Sequence, residues 1–147
     1  MEPVLLAKML AAAIRISGLP AIDVADLPPI VPMSKVQLAA EFCPKRPAGC
    51  DTLIALFEPK NYRIVYRDHL DMKKVFDQST IVHEIVHVLQ FKQRGESIFA
   101  NCDGIMGSER EAFQTQDRYL GENGEERRMG GAFRFMRCDD SKPPEAK

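Results

Sequence analysis

The sequence predicts a single α+β domain at residues 1–138, followed by a tail at residues 139–147 that we expect to be disordered. Two observations lead to this class: apolar residues at helical spacing in three segments, and two strand-like stretches separated by a turn. With 147 residues, 45% of them apolar, the chain is long enough to enclose one core. We expect a central helix to pack against a second helix at residues 109–120, an N-terminal helix and a small sheet.

The first 21 residues have the apolar composition of an export signal, but their charges fit an amphipathic helix better. Glu2 stands where a signal peptide carries basic residues, and Lys8 and Arg15 interrupt the apolar stretch. Apolar residues recur at helical spacing, and we expect Gly18 and Pro20 to end the helix. The residues of the predicted apolar face are Val4, Leu5, Met9, Ala12, Ala13 and Ile16.

A pair of strands is predicted in the middle of the chain. The stretches DTLIALFEP (residues 51–59) and KNYRIVYRD (residues 60–68) are rich in strand-forming residues, with a turn-like break between them. The proline-rich segment at residues 19–34 predicts extended backbone before this pair. AFRFMRC, at residues 132–138, is predicted to be a last short strand.

Two of the three histidines lie in the apolar stretch STIVHEIVHVLQF, four residues apart. In a strand, His83 and His87 would lie about 13 Å apart, too far for one metal ion. In a helix their Cβ atoms are about 6 Å apart, and both imidazoles can bind one ion. Glu84 lies about 100° round the helix, where it can face a water on that ion. The motif HExxH therefore predicts a zinc-binding helix.

This central helix has candidate ends on both sides. Asp77 or Ser79 is available to cap its start, and Gly95 is available to end it. The segment at residues 95–108 contains three glycines and is predicted to be a loop. We expect substrate specificity to be shallow or to depend on loops such as this one. We expect Gly121 to end the second helix.

A catalytic zinc ion usually takes three protein ligands, so a third is needed. A third histidine at HExxHxxGxxH spacing is excluded, because the required glycine and histidine positions hold Gln90 and Gln93. His69 is expected to be an exposed loop residue. The downstream candidates are Cys102, Asp103, Glu109 and Glu111.

The HExxH motif and the later stretch EREAFQTQ resemble those of the gluzincins, zinc metallopeptidases with a glutamate ligand on a later helix. The resemblance covers residues 77–120 and extends to small bacterial zincin-like proteins of unassigned function. It implies a zincin-like domain that holds one zinc ion per chain. It also implies a strand above the cleft whose edge pairs with the substrate, and YRIVYR, at residues 62–67, is the candidate for that strand.

The chain departs from the gluzincin pattern around the histidines. Many gluzincins carry an aspartate four residues after the glutamate ligand, which orients an imidazole. Here Phe113 follows Glu109 by four residues, and Thr115 follows Glu111 by four. The groups that orient the histidines are therefore altered or come from elsewhere. The candidates for stabilising an oxyanion are Tyr66, Arg118 and Tyr119.

The faces of the second helix favour Glu109 over Glu111 as the third ligand. Glu109 shares its face with a largely apolar stripe that is expected to pack against the HExxH helix, and the small Ala112 permits close approach. Glu111 shares its face with polar residues and is expected to be a surface carboxylate near Arg118.

These residues predict a zinc-dependent hydrolase of the metallopeptidase type, which cleaves a peptide or protein substrate. His83, His87 and Glu109 hold the ion, and Glu84 acts as general base. The alternative is a catalytically inactive binding module or pseudo-peptidase, in which the same ion only stabilises the fold. The carboxylate of Glu84 favours catalysis, since a purely structural site has no use for it.

The charges and cysteines bear on partners and location. A net charge of -1 gives no reason to expect nucleic acid as a partner, and no uncharged run is long enough to span a membrane. If the cysteines are oxidised, we expect Cys43 to bridge to Cys50 and Cys102 to Cys138. Bridges would predict a periplasmic or secreted protein, and reduced cysteines a cytoplasmic one.

Overall fold

The computed structural model of the chain describes residues 1–131, 133 and 138. The predicted tail at residues 139–147 lies outside the described residues, as does the predicted strand at residues 132–138 apart from Phe133 and Cys138. The described elements form the predicted α+β fold. In chain order they are α1 (Pro3–Ser17), β1 (Ile30–Met33), α2 (Lys35–Phe42), β2 (Ala55–Glu58), β3 (Arg63–Arg67), α3 (Val75–Arg94) and α4 (Cys102–Glu122).

Helix α1 has the ends that its sequence specifies. The Glu2 carboxylate accepts hydrogen bonds from the first backbone N–H groups of the helix. Gly18 ends the helix with φ at 75°, a left-handed conformation that favours glycine. The buried face of α1 packs against α3 and α4, whereas Val4, predicted to lie on that face, is exposed. The buried residues are Met9, Leu10, Ala12 and Ala13.

The two predicted strands pair as an antiparallel β2–β3 hairpin, and β1 adds to the other side of β3 in parallel. The order β1-β3-β2 makes β3 the central strand, so both its edges are already paired. The prediction that YRIVYR offers a free edge above a cleft is therefore wrong. Among the described strands, β2 lies against α3 and is paired on one side only, which leaves it a free edge.

Successive residues of β3 face two different cores, because side chains alternate along a strand. Ile64 packs into the main core with α1, α3 and α4, and Val65 packs on the opposite face against Leu38 and Ala39 of α2. Helix α2 is not among the predicted elements, although its start carries a capping box. Ser34 accepts from the Gln37 backbone N–H, and the Gln37 side chain accepts from the Ser34 N–H.

Helix α3 begins at Val75, before both predicted caps, and neither Asp77 nor Ser79 caps it. The Asp77 carboxylate accepts the Asp71 N–H from the preceding turn instead. The helix ends at Gly95 as predicted. It is buried over most of its length, because α1, α4 and β2 all pack against it.

Helix α4 begins at Cys102, so the prediction of a loop through residue 108 is wrong for its second half. The Asn101 side chain caps the start by accepting the Gly104 N–H. Gly104 lies against the Ile98 carbonyl, where a Cβ atom would be only 2.1 Å from the oxygen. The glycine therefore serves close packing inside a helix rather than a break between elements. The helix ends at Glu122, next to the predicted Gly121.

Two disulfides join the expected cysteines. Cys43 pairs with Cys50 and closes a short loop, and Cys102 at the start of α4 pairs with Cys138. Among the described residues, no helix has the length and apolar character needed to cross a bilayer.

Candidate metal centre

Helix α3 carries the HExxH motif in the interior of the protein. His83, Glu84 and His87 are 6%, 7% and 8% exposed, and the side chains around them on α3 are almost all buried and apolar. Buried imidazole and carboxylate groups cost free energy unless they have partners. Each of these three side chains does have polar partners.

The structure brings Glu109 of α4 together with both histidines. The Nε2 atoms of His83 and His87 are 3.2 Å apart, and Glu109 Oε1 lies 3.3 Å from His83 Nε2. Glu109 Oε1 also contacts His87 Nε2 directly. In a tetrahedral zinc site with bonds of roughly 2.0–2.1 Å, ligand atoms lie about 3.3 Å apart. The three residues are therefore placed so that they could hold one metal ion.

The other ring nitrogen of each histidine contacts a buried glutamine. His83 Nδ1 lies 2.9 Å from Gln116 Oε1, and His87 Nδ1 lies 2.8 Å from Gln90 Oε1. Phe113, which stands where many gluzincins have an aspartate, packs edge-on against His83 with ring centroids 4.5 Å apart. Amide groups thus take the place of the expected carboxylate.

The Glu109 carboxylate changes the titration of the site. Burial lowers the pKa of His87, but its hydrogen bond to Glu109 and the charges of Glu84 and Glu109 outweigh burial and raise that pKa to about 9. Burial likewise opposes ionisation of Glu109, and its hydrogen bonds to His83 and His87 hold the pKa of that carboxyl well below its usual range. The pair therefore favours imidazolium and carboxylate at neutral pH.

Glu84 lies beside the triad and also contacts the sheet. Its Oε1 accepts the Phe57 backbone N–H at 2.9 Å, which ties the free edge of β2 to α3. This contact was not predicted, and it gives the glutamate a structural role in addition to any chemical one. A purely structural site therefore does have a use for Glu84, contrary to the expectation from the sequence.

A cleft of about 700 Å³ opens over these residues. Its walls come from β2, from the turn Glu96–Phe99 and from the first part of α4. Among the described residues no lysine or arginine lines it. The apolar lining residues are Ala55, Leu56, Phe57, Pro59, Phe99, Ala100 and Ile105.

The other candidates for the third ligand lie elsewhere. Cys102 is in a disulfide, and Asp103 and His69 are exposed. Glu111 accepts a hydrogen bond from Gln90 Nε2 at 2.8 Å and lies 3.4 Å from Arg94. The expectation that it is a surface carboxylate near Arg118 is therefore wrong: it is partly buried and its partners are on α3.

The candidates for oxyanion stabilisation do not line the cleft. The Tyr119 hydroxyl donates to Gln78 in the core, and Arg118 pairs with Glu122 on the surface. Sequence reasoning missed Gln90 and Gln116 as partners of the histidines. The sequence carries no signal for them, since Gln93 and Gln114 lie on the same two helices and are exposed.

Comparisons of the chain with protein-family models, with curated proteins and with solved structures find no match.

Proposed function

We propose that the protein is a zinc-dependent peptide hydrolase of the gluzincin type. The observation that carries this proposal is the carboxylate of Glu84, which lines an open cleft directly beside the group of His83, His87 and Glu109. A centre of this kind has ligands, a candidate base and room for a substrate in one place.

Two imidazole nitrogens and one carboxylate oxygen suit zinc, and three protein ligands leave a position open for chemistry. A zinc ion held there would supply Lewis acidity for the polarisation of a carbonyl group and for the activation of water. His83, His87 and Glu109 would hold it. The distances from His83 Nε2 to His87 Nε2 and to Glu109 Oε1, 3.2 and 3.3 Å, support this assignment.

Glu84 is assigned the role of general base. One of its carboxylate oxygens accepts the Phe57 N–H, which fixes the side chain at the cleft wall. The carboxylate can take a proton from a water molecule and return it to the leaving amine. Its burial keeps that proton transfer away from bulk solvent.

The free edge of β2 suits an extended peptide. Along an antiparallel strand, the backbone N–H and C=O groups of successive residues point alternately to the two sides. In β2, those of Ala55 and Phe57 point away from β3, toward the free edge. The Phe57 N–H is taken by Glu84, and the remaining groups are available to pair with a substrate backbone. The apolar cleft walls favour apolar substrate side chains.

The two disulfides support a proposal about location. Disulfides persist in oxidising compartments and are rare where thiols are kept reduced. We infer that the protein works in the periplasm or outside the cell, where Cys43–Cys50 and Cys102–Cys138 stay oxidised.

A metal-stabilised module without catalysis is the second candidate. The contact between Glu84 and the Phe57 N–H favours it, because it explains a buried glutamate at this position without hydrolysis. The two candidates differ in what they require of Glu84: a proton acceptor in one, and only a hydrogen-bond acceptor in the other.

Glu84→Gln separates these roles. The glutamine side chain keeps an oxygen that can accept the Phe57 N–H but cannot take up a proton. We expect the variant to bind one zinc per chain, melt close to the parent and lose hydrolysis by at least about 100-fold, a typical contribution of a general base. Zinc content, thermal melting and cleavage of an unbiased peptide library are the measurements.

The parent and Glu58→Gln, a change at a glutamate on the same strand as Phe57 that pairs with Arg63, are the controls. Equal cleavage by parent and Glu84→Gln would rule out the base. A parent that binds zinc and cleaves nothing in the library would leave the binding module as the function.

A further inference from the structure

We propose that Gln90 and Gln116 are positioning residues, which hold the two imidazoles with Nε2 directed at the metal, and that Glu111 holds Gln90 in turn. The inference rests on the metal-binding part of the proposed function and extends it to residues outside the ligand set. It assigns to two amides the task that an aspartate performs in many gluzincins.

The orientation of Gln90 follows from its neighbours. Its Nε2 contacts the Ser108 backbone carbonyl at 2.9 Å and Glu111 Oε1 at 2.8 Å. Both of these groups can only accept hydrogen bonds, so the NH₂ end of the amide must point at them. The Oε1 end then faces His87 Nδ1 and can only accept. His87 Nδ1 must therefore carry a proton, and Nε2 is left to bind the metal.

The orientation of Gln116 follows from a second chain of hydrogen bonds. Its Nε2 lies 3.2 Å from Ser79 Oγ, and that hydroxyl donates its own proton to the Phe76 carbonyl at 2.6 Å. Ser79 Oγ is thus left to accept from Gln116, whose Oε1 faces His83 Nδ1. His83 is fixed as the same tautomer as His87, by an independent route.

The burial of both glutamines argues for a specific task. Gln90 is 0% and Gln116 is 3% exposed, and an amide at such a place is costly unless every polar atom has a partner. Each amide uses both its ends, one on a histidine and the other on a group that fixes its direction. Both span the contact between α3 and α4, so they also couple the histidines to the helix that carries Glu109.

The two routes end differently. The Gln116 route ends at the backbone carbonyl of Phe76, whereas the Gln90 route ends at a side chain, Glu111, which is partly exposed and near Arg94. Gln90 keeps the Ser108 carbonyl as a partner if Glu111 is removed. Glu111 should therefore matter less than either glutamine.

The test replaces each glutamine by methionine, which is similar in length and cannot hydrogen-bond to the imidazole. Gln90→Met and Gln116→Met are compared with Gln93→Met and Gln114→Met, changes at exposed glutamines on the same two helices. Zinc affinity is measured by competition with a chromophoric chelator. We expect each buried change to weaken zinc binding about 10–100-fold and each exposed change to leave it within twofold of the parent.

A second readout needs no metal. In protein labelled with ¹⁵N-histidine, the buried Nδ1–H protons of His83 and His87 should give slowly exchanging NMR signals. Gln90→Met should remove the protection of His87 and keep that of His83, and Gln116→Met should do the reverse. If the glutamines only stabilised the fold, each methionine variant would not affect the signal of one histidine and spare that of the other.

A charge exchange tests the contact with Glu111. In Gln90→Glu alone, the new carboxylate would face the Glu111 carboxylate and the Ser108 carbonyl, and none of the three can donate a hydrogen bond. Zinc binding should therefore fall further than in Gln90→Met. Adding Glu111→Gln supplies an N–H group for the new carboxylate, which can still accept from His87 Nδ1. The double variant should therefore bind zinc at least tenfold more tightly than Gln90→Glu. If Gln90→Met does not fold, this double variant carries the test.

The outcomes are distinct. Parent-like zinc affinity and histidine signals in both methionine variants would overturn the positioning role while leaving the metal site in place. A parent that binds no zinc although both histidine signals are protected would overturn the proposed function, and the positioning role with it. A double variant no better than Gln90→Glu would remove Glu111 from the proposal.

Discussion

Helices α3 and α4 lie side by side and both supply the candidate metal centre, but they place their ligands in different ways. α3 is enclosed by α1, α4 and β2, and the side chains of His83 and His87 are only 8% and 10% exposed. α4 has one buried face, and the Glu109 side chain at its edge is 30% exposed. Burial fixes the histidines, whereas packing of one helix face fixes the glutamate.

This difference explains why the two histidines of HExxH are recognised in the sequence more directly than the third ligand. Both histidines belong to one rigid helix, and their relation depends only on a spacing of four residues. Glu109 meets them only if α4 has the right start, rotation and distance from α3. Ala112, which is fully buried between the helices, permits that distance.

The largest expected effect is on metal binding, and it compares ligands from the two helices. His83→Ala should abolish stoichiometric zinc, and Glu109→Ala should weaken binding by orders of magnitude, because either change leaves a two-point site. Glu111→Ala, a carboxylate two residues away, should cost only a few-fold, since it acts through Gln90. Chelator competition on the purified variants measures all three.

A result with Glu111→Ala more harmful than Glu109→Ala would mean that α4 is rotated so that Glu111, and not Glu109, faces the histidines. Equal zinc affinity in Glu109→Ala and the parent would show that α3 alone holds the ion.

The next effect is a pH dependence that arises where the two helices meet. Ligation of zinc needs neutral His87, but in the metal-free protein the Glu109 carboxylate raises the pKa of His87 to about 9. Zinc must therefore displace a proton below that pH, and its apparent affinity should fall about tenfold per pH unit from pH 9 downwards. Competition titrations between pH 7 and 10 test the slope, which Glu109→Gln should flatten.

The same groups set the sign of the stability change in the metal-free protein. The raised pKa of His87 means that its contribution is complete below its ordinary value of 6.5 and is lost as pH rises through about 9. The lowered pKa of Glu109 means that its contribution is present above 4.5 and is lost on acidification. Their joint contribution should be greatest between pH 4.5 and 6.5, as denaturant unfolding at several pH values can test.

The sequence predicted those parts of the fold that depend on local pattern. The helical spacing in α1, the strand pair around the turn at residues 59–61 and the four-residue spacing of the histidines all act within a few residues. The sheet order was not predictable in this way, because the parallel pairing of β1 with β3 joins residues 34 positions apart, such as Ile30 and Ile64. That pairing is what turned YRIVYR from an expected edge into the centre of the sheet.

The same distinction between local pattern and long-range contact applies to the candidate site. His83, His87 and Glu109 followed from motif and helix face, whereas Gln90 and Gln116 depend on how α3 and α4 are rotated against each other. A glutamine has no spacing rule that marks it as a partner of a histidine. Only the three-dimensional contact distinguishes Gln90 and Gln116 from the exposed Gln93 and Gln114.

The smallest expected effect concerns the start of α4, where glycines led to the wrong prediction of a loop. Gly104 and Gly107 are on the same helix, but a Cβ atom at Gly104 would lie 2.1 Å from the Ile98 oxygen and 3.0 Å from the Ile98 carbon, whereas at Gly107 it would meet nothing within 4 Å. Gly104→Ala should destabilise the protein by about 1–3 kcal/mol, because backbone atoms must move to make room. Gly107→Ala should stabilise it by about 0.5–1 kcal/mol, because alanine favours an open helix position. Denaturant unfolding of the two variants beside the parent measures both changes, and equal effects of the same sign would contradict the close packing of α4 on the turn that lines the cleft.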